Sequence, residues 1–198
     1  MNSLPMEGAV KALPNLAELL GKGLLDKIFN SGYSVTDIEN KWQRMGGETY
    51  IIKATLKKDE VLFPVVIKAC IKMFPSKTIL EWIERRKRIE MAGISTPKLY
   101  LVPEDEGILI EEDIPYDLRQ VYAQSDEQGK QMLYKKVSND IEKILELGFQ
   151  PISFHDLRSR GNDVVFIDFG SDMGGWQDGK EKSANNKEAV DLLLKNIF

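Results

Sequence analysis

The sequence predicts an α+β chain in two parts: an antiparallel sheet carrying one helix, then a smaller, mostly helical half, with the division near Asp113. Three observations predict it. Apolar, β-branched runs joined by short turns fill residues 35–73. Helical stripes of apolar residues that stop at glycine occupy 77–92 and 127–147. Late in the chain, the tight-turn sequence Gly161-Asn162-Asp163 leads into Val164-Val165-Phe166-Ile167, which reads as the second strand of a short hairpin.

Taken in order, residues 13–29 form an amphipathic helix, with Leu16, Leu19, Leu20, Leu24 and Ile28 at helical spacing and Gly32 as the stop. It is read as an extension packed on the domain, with a docking helix as the alternative. Strands follow at 35–44, 50–56 and 63–73, separated by Met45-Gly46-Gly47-Glu48-Thr49 and Lys57-Lys58-Asp59-Glu60, and together they imply a meander. Ser76 is the expected N-cap of a helix over 77–92, with Ile79, Trp82, Ile83 and Ile89 on one face and Gly93 as the stop. Strands at 98–102 and 107–110 flank an acidic turn. Residues 118–123 and 127–147 are helical, the second by its stripe of Met132, Leu133, Val137, Ile141, Ile144 and Leu145. After the hairpin come a Gly-rich polar loop over 171–182 and a last helix over 186–196.

Composition narrows the function classes. The 198 residues are 42% hydrophobic and 29% charged, enough for one compact domain or two small lobes sharing a cleft. A net charge of −4 argues against a nucleic-acid surface. The run Arg85-Arg86-Lys87-Arg88, beside Glu81, Glu84 and Glu90, reads as a solvated helix face, with a phosphate- or partner-binding patch as the minority reading. The single cysteine, Cys70, excludes an internal disulfide and fits a reducing compartment; its apolar neighbours predict a buried, inert thiol. His155 is the only histidine, which leaves a His-rich zinc site out of reach. No apolar run approaches a membrane span and no secretory signal is present, so a cytoplasmic protein is expected.

Asp156 and Asp168 stand at either end of the hairpin. Phosphoryl transfer from ATP uses such a pair, one carboxylate orienting the acceptor hydroxyl and the other holding Mg²⁺ against the phosphates. An Asp-Phe-Gly taken singly is also what an ordinary turn after a strand uses. In sequence, however, His155-Asp156-Leu157 and Asp168-Phe169-Gly170 resemble the catalytic loop and metal-binding triplet of the protein-kinase-like superfamily. That group includes the Ser/Thr protein kinases and the aminoglycoside and choline phosphotransferases. The resemblance extends from about Gly46 to Leu194 and rests on motif order. Gly46-Gly47-Glu48-Thr49 resembles the Gly-Gly-x-Thr loop, implying that Gly46, Gly47 and Thr49 approach the nucleotide phosphates. Val65-Val66-Ile67-Lys68 resembles the third-strand lysine motif, implying that Lys68 holds the α- and β-phosphates and pairs with a helix glutamate. The exit sequence Gly93-Ile94-Ser95-Thr96-Pro97 favours Glu81 for that partner over Glu84. The run from Ile108 to Asp113 resembles the last sheet strand and hinge, where the backbone around Glu111 and Asp113 reads the adenine edge. Asp191 resembles the aspartate that buttresses the catalytic loop.

The resemblance thus implies a two-lobed, protein-kinase-like fold: a helical extension over 1–32, a nucleotide-binding lobe over 33–113 and a minimal second lobe over 114–198. ATP and Mg²⁺ are the implied cofactors, with Asp156 orienting the acceptor, Asp168 holding the metal and Asn162 as the candidate second ligand. Three departures bear on activity. Phe154 stands where the family has histidine, Gly161 stands where it has the metal-binding asparagine, and Asn162 comes one position later. Asn162 is therefore read either as a ligand or as the hairpin turn. The chain also ends after the Asp191 helix, so substrate recognition is expected to be minimal or supplied by an activating protein partner. The expected function is transfer of phosphate to a hydroxyl, of a protein rather than a small molecule. The alternative is a pseudokinase that binds nucleotide or acts as a scaffold, and a third reading is an α+β domain with no nucleotide site.

Overall fold

Alternation marks the strand Thr49–Lys58: Tyr50, Ile52, Ala54 and Leu56 are buried, and the residues between them are half-buried. Successive strand side chains point to opposite faces, so this pattern gives one face to the core. The computed structural model describes residues 23–39, 43–45, 49–70, 75–149, 157–169, 191, 194–195 and 198. Gly46, Gly47, Phe154, His155, Asp156, the start of the amino-terminal helix, the 171–182 loop and most of the last helix lie outside the described residues.

The chain divides into two units. One comprises Met1–Thr78 with Leu101–Ile110, the other Ile79–Tyr100 with Glu111–Phe198. The first contains α1 (Leu25–Asn30), β1 (Ser34–Ile38), β2 (Gln43–Met45), β3 (Thr49–Lys58) and β4 (Val61–Cys70). Both β1 and β2 pair antiparallel to β3, and β3 pairs antiparallel to β4 along its whole length, from Thr49 opposite Cys70 to Lys58 opposite Val61. The sheet continues past β4 to β6 (Ile108–Glu112) and β5 (Leu99–Leu101). With neighbours on both sides, β4 is buried at the consecutive residues Val65, Val66 and Ile67, as a central strand must be. The single strand expected over 35–44 is two. β1 carries an extra residue between Val35 and Asp37 and pairs with one end of β3, whereas β2 pairs with the other.

The second unit holds α2 (Pro75–Met91) from Ile79 onward, β7 (Tyr116–Asp117), α3 (Leu118–Gln124), α4 (Glu127–Glu146), β8 (Leu157–Arg160) and β9 (Asp163–Phe166). Helix α2 starts at Pro75, ahead of the expected cap Ser76; proline suits the first helical position, where its fixed φ is helical and no N–H is lost. Both long helices end as their glycines predict. Gly93 and Gly148 have φ of +74° and +84°, and the amides of Ile94 and Phe149 reach back to the carbonyls of Ile89 and Ile144. The Asp117 and Asp126 carboxylates accept from the amides of Arg119 and Gly129, capping α3 and α4. The buried face of α4 matches the predicted stripe except at Met132, which is exposed, and at Asp140, which is buried. Among the described residues, no helix is long and apolar enough to cross a membrane.

Candidate functional site

The hairpin that carries Asp168 is closed by a two-residue turn. Arg160 pairs with Asp163, and the pairing runs back to Leu157 opposite Phe166. Gly161 has φ of +60°, while Asn162 does not have a positive φ, which is the type II′ pattern suited to the twist of a hairpin. Leu157, Ser159, Val164, Val165 and Phe166 are buried. The Ser159 hydroxyl donates to the Gly161 carbonyl at 2.6 Å and so is committed to the turn. On its other side β8 pairs with β7, and the Phe166 amide donates to the Ser95 carbonyl in the loop after α2.

Past β9, the chain presents Asp168 as an exposed residue between two anchored phenylalanines. Phe169 is buried, and its ring meets that of Phe166 edge-on at 5.6 Å. Two arginines of α2 hold this loop. Arg85 Nη1 donates to the Phe169 carbonyl at 2.9 Å, and the Arg86 guanidinium lies 5.9 Å from the centre of the Phe169 ring. Here the solvated-face expectation for residues 85–88 is corrected: Arg86 is 6% exposed and Arg85 half-buried. The physical reason is phase. Ile79, Trp82 and Ile89 are buried, and Arg86 occupies the remaining inward position of that stripe.

Arg86 is tied on several sides. It donates to the Glu90 carboxylate at 2.8 Å and to the Pro97 carbonyl, and its Nη1 lies 3.5 Å from Glu111 Oε2. Glu111, on β6, is 2% exposed. Its side chain thus serves the interior of the second unit. Neighbouring Glu112 accepts from Arg160 Nε at 3.0 Å and from the Lys98 amide at 2.9 Å, which joins the end of β6 to the hairpin. Asp113 follows, half-buried.

The remaining predicted residues are distributed as follows. Thr49 opens β3, and Lys68 is a half-buried residue of β4 opposite Ile51, both in the first unit. Glu81 and Glu84 are exposed residues of α2 in the second unit, and Glu81 Oε2 lies 3.9 Å from Arg85 Nη2. Asp191 is helical and exposed. Cys70 is a buried free thiol. Asn162 sits at the closed end of the hairpin and Asp168 beyond its open end, so the hairpin separates these two rather than joining them. Among the described residues no three His, Cys, Asp or Glu side chains gather as a metal cage. An exposed Asp168 fits Mg²⁺, which commonly takes one or two carboxylates and fills its octahedron with water and substrate phosphate.

No protein-family model matches the chain, and neither does any curated protein sequence. Among solved structures it is similar to the Rio2 kinase of Chaetomium thermophilum, in a crystal structure of its ADP/Mg²⁺-phosphoaspartate complex. The TM-score is 0.55 at 14% identity, covering 91% of this chain and 57% of that one. The chain therefore spans under two thirds of that kinase's length. At such identity the likeness establishes architecture: the fold is protein-kinase-like, a mixed α and β chain built around an antiparallel sheet.

Proposed function

We propose that this chain is an ATP-dependent phosphotransferase acting on a hydroxyl group, a protein's in preference to a small molecule's. The observation that carries the reading is Asp168, an exposed carboxylate held between the buried Phe166 and Phe169 at the exit of a hairpin, in a protein-kinase-like fold. The kinase of similar fold was crystallised with ADP and Mg²⁺, which supports the same ligands here. In this reading Asp168 holds the metal, and Lys68, with Glu81 as its counter-charge, clamps the α- and β-phosphates. Gly46, Gly47 and Thr49 cradle the phosphates, and Asp156 orients the acceptor hydroxyl and takes its proton. Mg²⁺ bound with the nucleotide would neutralise charge on the β- and γ-phosphates. With a loose transition state, the rate comes from positioning and charge neutralisation.

A second reading, a nucleotide-binding pseudokinase, is favoured by one observation: Asn162 belongs to the type II′ turn, and the Ser159 hydroxyl is engaged there too. The test is calorimetric titration of the full chain with ATP, with and without Mg²⁺, followed by single-turnover transfer to a mixed protein substrate. Magnesium-dependent binding with transfer supports the phosphotransferase, and Asp156→Ala should then keep binding while lowering kcat. Binding without transfer supports the pseudokinase. Failure to bind ATP under either condition removes both.

A further inference from the structure

We infer that Arg85 and Arg86 are positioning residues for Asp168, two struts through which helix α2 and the buried Glu111 fix the metal-binding loop. The inference rests on the phosphotransferase reading and assigns to that site the residues that set its geometry. Each strut is a specific contact. Arg85 Nη1 donates to the Phe169 carbonyl, one residue past Asp168. Arg86 faces the Phe169 ring at 5.9 Å. A loop carboxylate flanked by only one anchored residue could swing about that anchor. Here Phe166 fixes the chain before Asp168, and the arginines fix it after.

What orients the struts is equally specific. Arg86 donates from Nε to Glu90 and from Nη2 to the Pro97 carbonyl, two bonds that fix the guanidinium plane, and its Nη1 lies 3.5 Å from Glu111 Oε2 as an ion pair without a hydrogen bond. Lysine, with a single nitrogen, could not make the same set. Arg85 is less encumbered: its Nη2 lies 3.9 Å from Glu81, and its remaining fixed contact is the Phe169 carbonyl. A lysine there retains one donor for that carbonyl. The two positions therefore have different requirements, a fork at 86 and a single donor at 85.

The consequence is a role that separates metal-dependent from metal-independent binding. Loss of the Arg85 strut loosens Asp168 without touching Glu111 or Asp113, the positions assigned to the nucleotide's base. The experiment compares Arg85→Met, Arg85→Lys and Arg86→Met with the wild-type chain, titrating ADP with and without MgCl₂ and following amide hydrogen exchange of residues 167–169 in ligand-free protein. Arg85→Met is expected to raise the Mg²⁺ concentration for half-maximal ADP binding about tenfold, the lower end of the worth of one hydrogen bond to a charged donor. Metal-free ADP affinity should stay unchanged, and exchange at 167–169 should quicken while β9 keeps its protection. Arg85→Lys should restore most of the Mg²⁺ dependence. Arg86→Met should show a larger effect where it folds, and Arg85→Met carries the test where it does not. Wild-type Mg²⁺ dependence and exchange in Arg85→Met would overturn the inference and leave the phosphotransferase reading intact. An equal loss of metal-free and metal-dependent binding would reduce the arginines to general supports and overturn it as well. If the wild-type chain itself binds ADP without regard to Mg²⁺, the functional reading fails and the inference fails with it.

Discussion

Arg86 and Glu111 form an ion pair in the interior of the second unit, with Nη1 3.5 Å from Oε2 and side-chain exposures of 7% and 2%. Burial of a charge is costly unless it is met by an opposite charge; Arg86 is met by Glu111 and by Glu90, whose carboxylate accepts from its Nε at 2.8 Å. The pair joins the middle of α2 to the end of β6. Through Phe169 the same guanidinium meets the loop that carries Asp168.

Removing one partner should therefore be worse than removing both. Glu111→Ala takes one of its two carboxylates from Arg86, which keeps Glu90, and should cost about 1–3 kcal/mol in urea unfolding. The double variant Arg86→Met with Glu111→Leu should recover much of that loss, since a well-packed apolar pair can replace a buried ion pair. A double-mutant cycle checks this. Additive losses would show that the two charges act independently.

Asp140 gives α4 a pH dependence. The side chain is 1% exposed, receives Lys136 Nζ at 2.5 Å through one oxygen, and has no hydrogen bond to the other among the described residues. Burial raises its pKa above the ordinary aspartate value, opposed by the Lys136 hydrogen bond and the charges of Lys136 and Lys143, with Asp163 adding to the rise. The folded chain thus holds this proton more tightly than the unfolded chain. Its contribution to stability is complete below the unfolded pKa and is lost as pH rises through the folded one. Asp140→Asn should flatten that segment of the stability profile while keeping an acceptor for Lys136. Urea unfolding between about pH 3 and pH 7 measures it. An unchanged slope in the variant would assign the pH dependence to other groups.

The β3–β4 turn stores a small, removable strain. Asp59 and Glu60 have φ of +50° and +65°, the left-handed pair of a type I′ hairpin, where glycine is favoured at the second position. Glu60→Gly relieves one left-handed non-glycine residue. It gives up the exposed Lys57 to Glu60 ion pair at 2.8 Å and adds freedom to the unfolded chain. The net should be a gain of about 0.5 kcal/mol, seen as a higher urea midpoint at unchanged m-value. Glu60→Val, branched at Cβ, should shift the midpoint the other way.

Much of this architecture was legible because it depends on local periodicity. The period-two burial of β3, the stripes of α2 and α4 and their stopping glycines follow from backbone geometry that neighbours in sequence determine. What the sequence concealed was the interior charge. Arg86 falls in phase with Ile79, Trp82 and Ile89, and Glu111 follows three apolar residues in β6, so each was in a core position by pattern. Reading the basic run by composition hid the phase. Asp140, in phase with Val137, Ile141 and Ile144, was hidden in the same way. A charged residue at an inward position signals a buried partner, but which partner depends on contacts between distant segments, and pattern alone does not supply those.

Asn162 is where family resemblance and local geometry pull apart, and a single substitution separates them. As a metal ligand it would have to meet Asp168, yet β9 lies between them, four residues spanning roughly 13 Å. The type II′ turn fixes the reversal at Gly161-Asn162, Arg160 and Asp163 close it, and the Asn162 side chain is exposed. Asn162→Ala should therefore change stability only modestly, by about 0.5–1 kcal/mol, since it alters an exposed turn residue and no buried contact. Its Mg²⁺-dependent ADP affinity should match the wild type. Asp168→Ala, assayed beside it, should lose more than about tenfold if the proposed site is right, because the proposed metal ligand and not a turn residue is removed. A large magnesium-dependent loss in a correctly folded Asn162→Ala chain would mean that the hairpin rearranges on binding nucleotide to bring Asn162 to the metal. That outcome would remove the observation favouring the pseudokinase and strengthen the case for a working phosphotransferase.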